Sequence, residues 1–267
     1  MELDLHTGTL KSTPELVAAS NLNFAGSYRK LAQHCPRGEI RVEGAVMAFV
    51  TGVPISIFNG CLVLERATAS DLAAAAAWVA SEAVPYHVWI DEGINPPRDE
   101  SGVPAGFVKD AWTSPGMVLQ SSEAPPSPPV PPAGVTVVPV GAAGLAEFVG
   151  VYVGSGVPAA LAETLFSPAF AADPDVQLFT ARLDGRPVGT SLAIRTGDVA
   201  GVYAVGTVAH ARHRGVGTAA TWAAVAAGWA WGCDTIVLQA SEMGFSVYST
   251  MGFRTVVRYA IYGRSRH

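Results

Sequence analysis

Residues 201–218 read GVYAVGTVAHARHRGVGT, and the reading of this stretch decides the fold. Val202, Tyr203 and Val205 form an apolar run of strand-favouring residues. A polar turn follows, Arg212-His213-Arg214-Gly215-Val216-Gly217, and an alanine-rich helical segment begins at once. A strand, a tight glycine loop and a helix N-terminus in this order bring several unpaired backbone N–H groups and the positive end of the helix dipole to one point. Such a point holds a phosphate. A Cβ at Gly215 or Gly217 would keep the backbone away from the phosphate oxygens. Arg212 and Arg214 add charge at the rim. The pattern Arg-x-x-Gly-x-Gly is not the Walker loop, because no Gly-Lys-Ser/Thr follows, nor is it the Gly-x-Gly-x-x-Gly of dinucleotide folds.

Working outward, residues 235–240 (TIVLQA) read as a strand and residues 241–253 (SEMGFSVYSTMGF) as a closing helix that ends on Gly252-Phe253. The Arg-x-x-Gly-x-Gly loop followed by Tyr248-x-x-x-Gly252-Phe253 resembles the GNAT superfamily of N-acetyltransferases. Their acetyl-CoA pyrophosphate loop runs Arg or Gln, two residues, Gly, one residue, then Gly or Ala. The resemblance covers residues 135–267 and implies the mixed α/β (α+β) GNAT acyl-CoA N-acyltransferase fold there. On either side of the loop the text fits the family's order βααβββαβαβ. Strands are expected at 135–140, 175–183 and 187–194, the last two joined by an Asp184-Gly185 hairpin turn. Helices are expected at 142–153 and 158–165. Trp222, Val225 and Trp229 share one stripe of the helix after Gly217, which reads as core packing.

The whole sequence has 267 residues, enough for two domains or one large one. Residues 121–134, SSEAPPSPPVPPAG, hold six prolines in 14 residues. Proline at this density favours extended polyproline II, so a semi-rigid linker is expected there, with docking to an SH3-like partner as the alternative. It divides the chain into residues 1–120, 121–134 and 135–267. In the first part, helical patterns are expected at 14–20 (capped by Ser12 or Thr13) and at 24–34. Residues 39–49 alternate loosely, and 52–59 read as a turn then a strand. Asn59-Gly60 is a hairpin-type turn signal before a strand at 61–65. A helix from Ser70 or Asp71 to Ala80, a strand at 85–90, a loop at 91–104, a short helix at 107–112 and a strand at 116–120 complete it. The runs GVPISIFN (52–59) and PGMVL (115–119) resemble the degenerate N-terminal half of two-domain GNAT proteins, which would shape the acceptor pocket. An unrelated cap is the alternative.

Composition narrows the function classes. Hydrophobic residues make up 49% and charged residues 15%, which suits a soluble protein with a sizeable core. The net charge of −5 sits in residues 1–120, with 8 basic and 13 acidic residues, against 9 of each in the remainder. No basic face for a nucleic-acid backbone is visible, and no nucleic-acid partner is expected. Cys35, Cys61 and Cys233 are isolated, which favours a reducing, cytoplasmic compartment over a zinc site or a disulfide framework. The start, MELDLHTGTLK, has no apolar core and so no secretory signal. Residues 215–233 are 19 consecutive uncharged residues, long enough to span a membrane. Their apolar content is mostly Ala, with four Gly and the interruptions Thr218 and Thr221, so a buried helix and no membrane partner are expected.

The resemblance also implies a site. The co-substrate would be acetyl-CoA, with no metal. Val205, Gly206 and Thr207 would bind its pantetheine arm through main chain, and a nearby amide would polarise the acetyl carbonyl. Arg212, His213, Arg214, Gly215, Val216, Gly217 and Thr218 would take the pyrophosphate. Ser241 stands where many relatives carry an Asn that contacts the cofactor. Tyr248 falls on the family's tyrosine acid, and its reference pKa of about 10 lets it hold its proton at neutral pH. For the general base, Tyr203, Glu163, Glu242, His210 through a water, a carboxyl from the first half and bulk water all stay open. His210 and His213 lack a third ligand for a metal. The function expected is N-acetyltransfer to a small-molecule amine, with a homodimer left open. A protein or peptide acetyltransferase and a non-catalytic acyl-CoA-binding regulator are the alternatives.

Overall fold

The computed structural model describes residues 11–94, 103–125 and 128–264. It opens on one long helix, α1 (Thr13–His34), where two shorter ones were expected. The N-terminus is fixed by the Ser12 N–H donating to the Glu15 carboxylate at 2.7 Å. The helix-weakening Asn21 and Asn23 are buried, and their amides are satisfied from outside the helix. Asn21 Nδ2 donates to Leu64 O and Asp91 Oδ2, at 3.0 and 2.9 Å. Asn23 Nδ2 donates to Ile194 O and Val199 O, at 3.0 and 3.1 Å. Tertiary hydrogen bonds thus carry the helix through a poor stretch.

The first half continues with β1 (Glu39–Glu43), β2 (Val46–Val50), β3 (Gly60–Val63), α2 (Ala69–Ser81), β4 (His87–Asp91), β5 (Phe107–Lys109) and β6 (Ser114–Gln120). Three expectations fail here. Residues 52–59 hold a 3-10 turn (Ser56–Phe58), not a strand, and Asn59-Gly60 is not a hairpin turn. The Asn59 side chain is buried instead, accepting from Thr51 N and donating to Val53 O, Ile55 O and Pro85 O. Residues 107–109, expected to be helical, pair with the end of the last strand, with the Phe107 ring 4.9 Å from that of Tyr86.

The second half contains β7 (Val135–Val140), α3 (Leu145–Gly154), α4 (Ala159–Leu165), α5 (Pro168–Ala171), β8 (Val176–Leu183), β9 (Arg186–Thr196), β10 (Val199–Thr207), α6 (Val216–Ala230), β11 (Thr235–Gln239), α7 (Glu242–Thr250) and β12 (Arg254–Arg264). Asp184 and Gly185 have φ of 50° and 79° and make the expected hairpin turn between β8 and β9. Trp222 and Val225 of α6 are buried, and the Trp222 and Trp229 rings lie 6.0 Å apart. No helix among the described residues is long and apolar enough to cross a membrane.

The twelve strands of the described residues join one sheet, ordered β1-β2-β3-β4-β12-β6-β11-β10-β9-β8-β7, with β5 added to β12. Among the described residues only β3/β4 and β10/β11 pair in parallel, each through a helix, so β3-α2-β4 and β10-α6-β11 repeat one βαβ unit. The halves interlock. β6 precedes the proline stretch yet lies between β11 and β12, while β12 lies between β4 and β6. On one face, α1 packs across both halves, touching β2, β6, β9, β10, β11 and β12. On the other, α6 covers β8, β9 and β10.

The described parts of the proline-rich segment approach α6 at its two ends. At its start, Ser121 N donates to Asp234 O, beyond the C-terminal end of α6. Ala124 packs on the core that holds Trp222, and Pro132 reaches Gly215 at the N-terminal end.

Candidate functional site

The opened edge of β10 is the first element of the site. β10 pairs with β11 only at Val199, Ala200 and Gly201, opposite Thr235, Ile236 and Val237. Beyond that, Leu238 and Gln239 stay with β6, while β10 stays with β9. A bulge interrupts the β9 pairing between Tyr203 and Gly206. There Ala204 adopts φ 48°, and its carbonyl accepts from Thr190 Oγ1 at 2.8 Å. A gap therefore opens at the carboxyl ends of the parallel pair, the place where α/β sheets take ligands. Val205, Gly206 and Thr207 lie along it with no strand on that side.

The N-terminus of α6 is the second element. Its N-cap is Gly215 with φ 74°, no side chain caps it, and no acidic residue stands in its first turn. The amides of Val216, Gly217 and Thr218 thus stand uncapped by any side chain at the positive end of the dipole. The repeated unit in the first half differs. Thr68 Oγ1 caps α2 by accepting from Asp71 N at 3.2 Å, and the Asp71 carboxylate accepts from Thr68 N at 3.0 Å. A carboxylate already occupies the anion position there. Of these two helices, only α6 lacks a side-chain cap at its N-terminus.

The loop residues take more definite places than their types revealed. A Cβ on Gly215 would lie 2.6 Å from Pro132 Cγ, so linker packing and a left-handed φ require this glycine. A Cβ on Gly217 would meet only Thr207 Oγ1, at 3.4 Å. The exposed Arg212 side chain donates to Thr207 O and Ser155 O, at 3.2 and 3.4 Å, and so braces the loop against β10 and the end of α3. His213, with φ 59°, and Arg214 are exposed.

The third element is α7, which leaves the end of β11 beside the gap. Ser241 is its N-cap, and Ser241 Oγ accepts from Gly244 N at 3.2 Å. The half-buried Tyr248 ring lies back over Gly244, where a Cβ would come within 2.7 Å of Tyr248 Cε2. It stands edge-on to Phe253 at 6.1 Å. Burial pushes its phenol up to about 12. Among the described residues nothing hydrogen-bonds its hydroxyl.

The candidate bases fare differently. Tyr203 donates to Asn23 Oδ1 at 2.6 Å, and burial raises its phenol far above the usual range, so it stays protonated at neutral pH. Glu163, Glu242 and His210 are exposed on separate elements, and no hydrogen bond or ion pair links them to Tyr248. Asn23, on α1 of the first half, escaped the sequence reading although it holds the strand just before the bulge. It fell in the gap between the two expected helical patterns, at 14–20 and 24–34.

Residues 151–245 match the acetyltransferase (GNAT) domain family. No curated protein matches the chain. Among solved structures, a GCN5-related N-acetyltransferase from Kribbella flavida aligns with a TM-score of 0.69 at 18% identity, over 94% of this chain and 96% of its own. A tandem GNAT protein from the clavulanic acid biosynthesis pathway aligns at 0.60 and 17% identity, over 100% and 93%. A GCN5-related N-acetyltransferase from Sphaerobacter thermophilus aligns at 0.58 and 18%, over 82% and 76%. The chain thus shares the mixed α/β fold of these proteins, and residues 151–245 carry the match to the acetyltransferase (GNAT) domain.

Proposed function

We propose that the protein is an acetyl-CoA-dependent N-acetyltransferase that moves an acetyl group directly to the primary amine of a small molecule. The carrying observation is that the opened β10 edge and the uncapped α6 N-terminus lie at the same end of one βαβ unit. Acetyl-CoA fits these features: its amide-rich arm suits the strandless edge at Val205, Gly206 and Thr207, and its diphosphate suits the amides and cations of residues 212–218. The bound thioester supplies the acetyl group. The amine nitrogen attacks the carbonyl carbon, the C–S bond breaks, and Tyr248 Oη gives the departing thiolate its proton. Burial keeps this phenol protonated throughout the neutral range. With Tyr203 held protonated, the amine loses its own proton to bulk water or to a carboxyl from the first half.

In this reading residues 135–267 carry the donor site, and residues 1–120 shape the acceptor side through α1, beyond the linker at 121–134. The free, buried Cys35, Cys61 and Cys233 fit a reducing, cytoplasmic setting.

The test is a panel of amines with acetyl-CoA, reading release of the free CoA thiol, followed by Tyr248→Phe on the best acceptor. The phenylalanine keeps the ring and deletes the proton, so kcat should fall by about 10²–10⁴-fold with the melting temperature nearly unchanged. Near-normal kcat in the folded variant would remove Tyr248 as the acid. Thermal protection by CoA with no turnover on any amine would favour a regulator instead.

A further inference from the structure

The proline-rich segment is anchored at both ends. Its start is tied by Ser121 N to Asp234 O, and by Arg254, which donates to Gln120 Oε1 at 3.3 Å and pairs with Glu123 at 3.4 Å. Its far end is tied by Val135 N to Pro132 O, at 3.0 Å, and by Asp184 N to Gly134 O, at 2.8 Å. The described residues before the gap at 126–127 lie near the C-terminal end of α6, and Pro132, after it, lies at the N-terminal end. There the Pro132 ring sits on Gly215, the left-handed N-cap whose conformation aims the amides of Val216, Gly217 and Thr218. A glycine at φ 74° is free to leave that conformation unless something holds it. Arg212 braces the near side of the loop through Thr207 O and Ser155 O. On the far side Pro132 is what Gly215 meets.

We infer that Pro132 is a positioning residue for the acyl donor: the strap presses on Gly215 and holds the anion-binding loop in its binding conformation. Pro132 acts through Gly215 and touches no reacting atom. The inference rests on the donor-site reading above. It makes the segment a part of the donor site, where a spacer would only set the distance between halves.

The test compares wild type, Pro132→Gly, Pro132→Ala and Pro131→Gly, each as the full chain. Pro131→Gly loosens the strap equally but leaves the ring on Gly215. Two donors are used, acetyl-CoA and acetyl-pantetheine, the second lacking the diphosphate. If Pro132→Gly lets the loop keep its competent conformation about a tenth of the time, the KM for acetyl-CoA rises about ten-fold at unchanged kcat. The KM for acetyl-pantetheine should not move. Pro131→Gly should match wild type, and Pro132→Ala, which keeps a β-carbon at that point, should fall between. If Pro132→Gly is poorly folded, the alanine variant carries the comparison. Unchanged KM for acetyl-CoA in a folded Pro132 variant, or equal rises for both donors, would overturn the inference while leaving the donor site intact. Failure of the wild type to bind CoA, read by thermal shift, would remove both.

Discussion

Tyr28 and Tyr259 are packed against Phe24, with ring centroids 5.4 and 4.9 Å from it. Tyr28 Oη donates to Ile57 O at 2.8 Å, and Tyr259 Oη to Asn21 Oδ1 at 2.7 Å. Burial holds both phenols far above their ordinary range. In the unfolded chain they ionise near pH 10, so their contribution is fully present below that and is lost as the pH climbs above it. Each removes about 1.4 kcal/mol of stability per pH unit once the unfolded state alone is releasing the proton. The buried thiols of Cys35 and Cys61, pushed up to about 11 and about 12, act in the same direction from about pH 9. Urea unfolding at stepped pH should therefore show falling stability in alkali, with a shallower fall above pH 10 in Tyr259→Phe. Parallel curves for the two proteins would rule out the buried phenol as a cause. At this scale the sequence reading was strongest where a residue acts locally, as at Asp184-Gly185. It misread Asn59, whose type indicates a turn but whose partners, such as Pro85 O, come from far along the chain.

The two helices α2 and α6 occupy the same place in their βαβ units and differ at the N-terminus. Thr68→Ala removes the α2 cap and should cost about 1 kcal/mol, leaving CoA binding unchanged. Gly217→Asp at α6 places a carboxylate where the diphosphate is proposed to sit. It should abolish most of the rise in melting temperature produced by CoA, which stabilises the fold only through binding. Equal protection of wild type and Gly217→Asp would exclude the α6 N-terminus as the donor site. The α6 loop was legible because strand, glycines and helix follow one another within twenty residues. The strand β5 was not. Phe107, Val108 and Lys109 carry no local pattern strong enough to choose strand over helix, and their pairing with Tyr262, Gly263 and Arg264 decides it.

In the molecule as a whole, the proline stretch was readable as a break in the sequence, but the exchange of β6 and β12 across it was not. Strand partners separated by more than a hundred residues leave no local trace. Residues 135–264 expressed alone would lack β6 between β11 and β12, and the α1 surface that buries Ile194, Val199 and Val237. No cooperative thermal transition is expected from that fragment. A sharp transition with full protection by CoA would show that α1 and β6 are dispensable to the donor half. The position of β12 also has a bearing on biosynthesis. β4 and β6 both wait for residues 254–264, so while the chain is still emerging from the ribosome the first half has its helices and hairpin but an unfilled slot in mid-sheet. Nascent chains should then expose two unpaired strand edges until the last strand arrives. That would make translation speed and chaperone supply, more than native stability, the quantities that govern how much active protein a cell obtains.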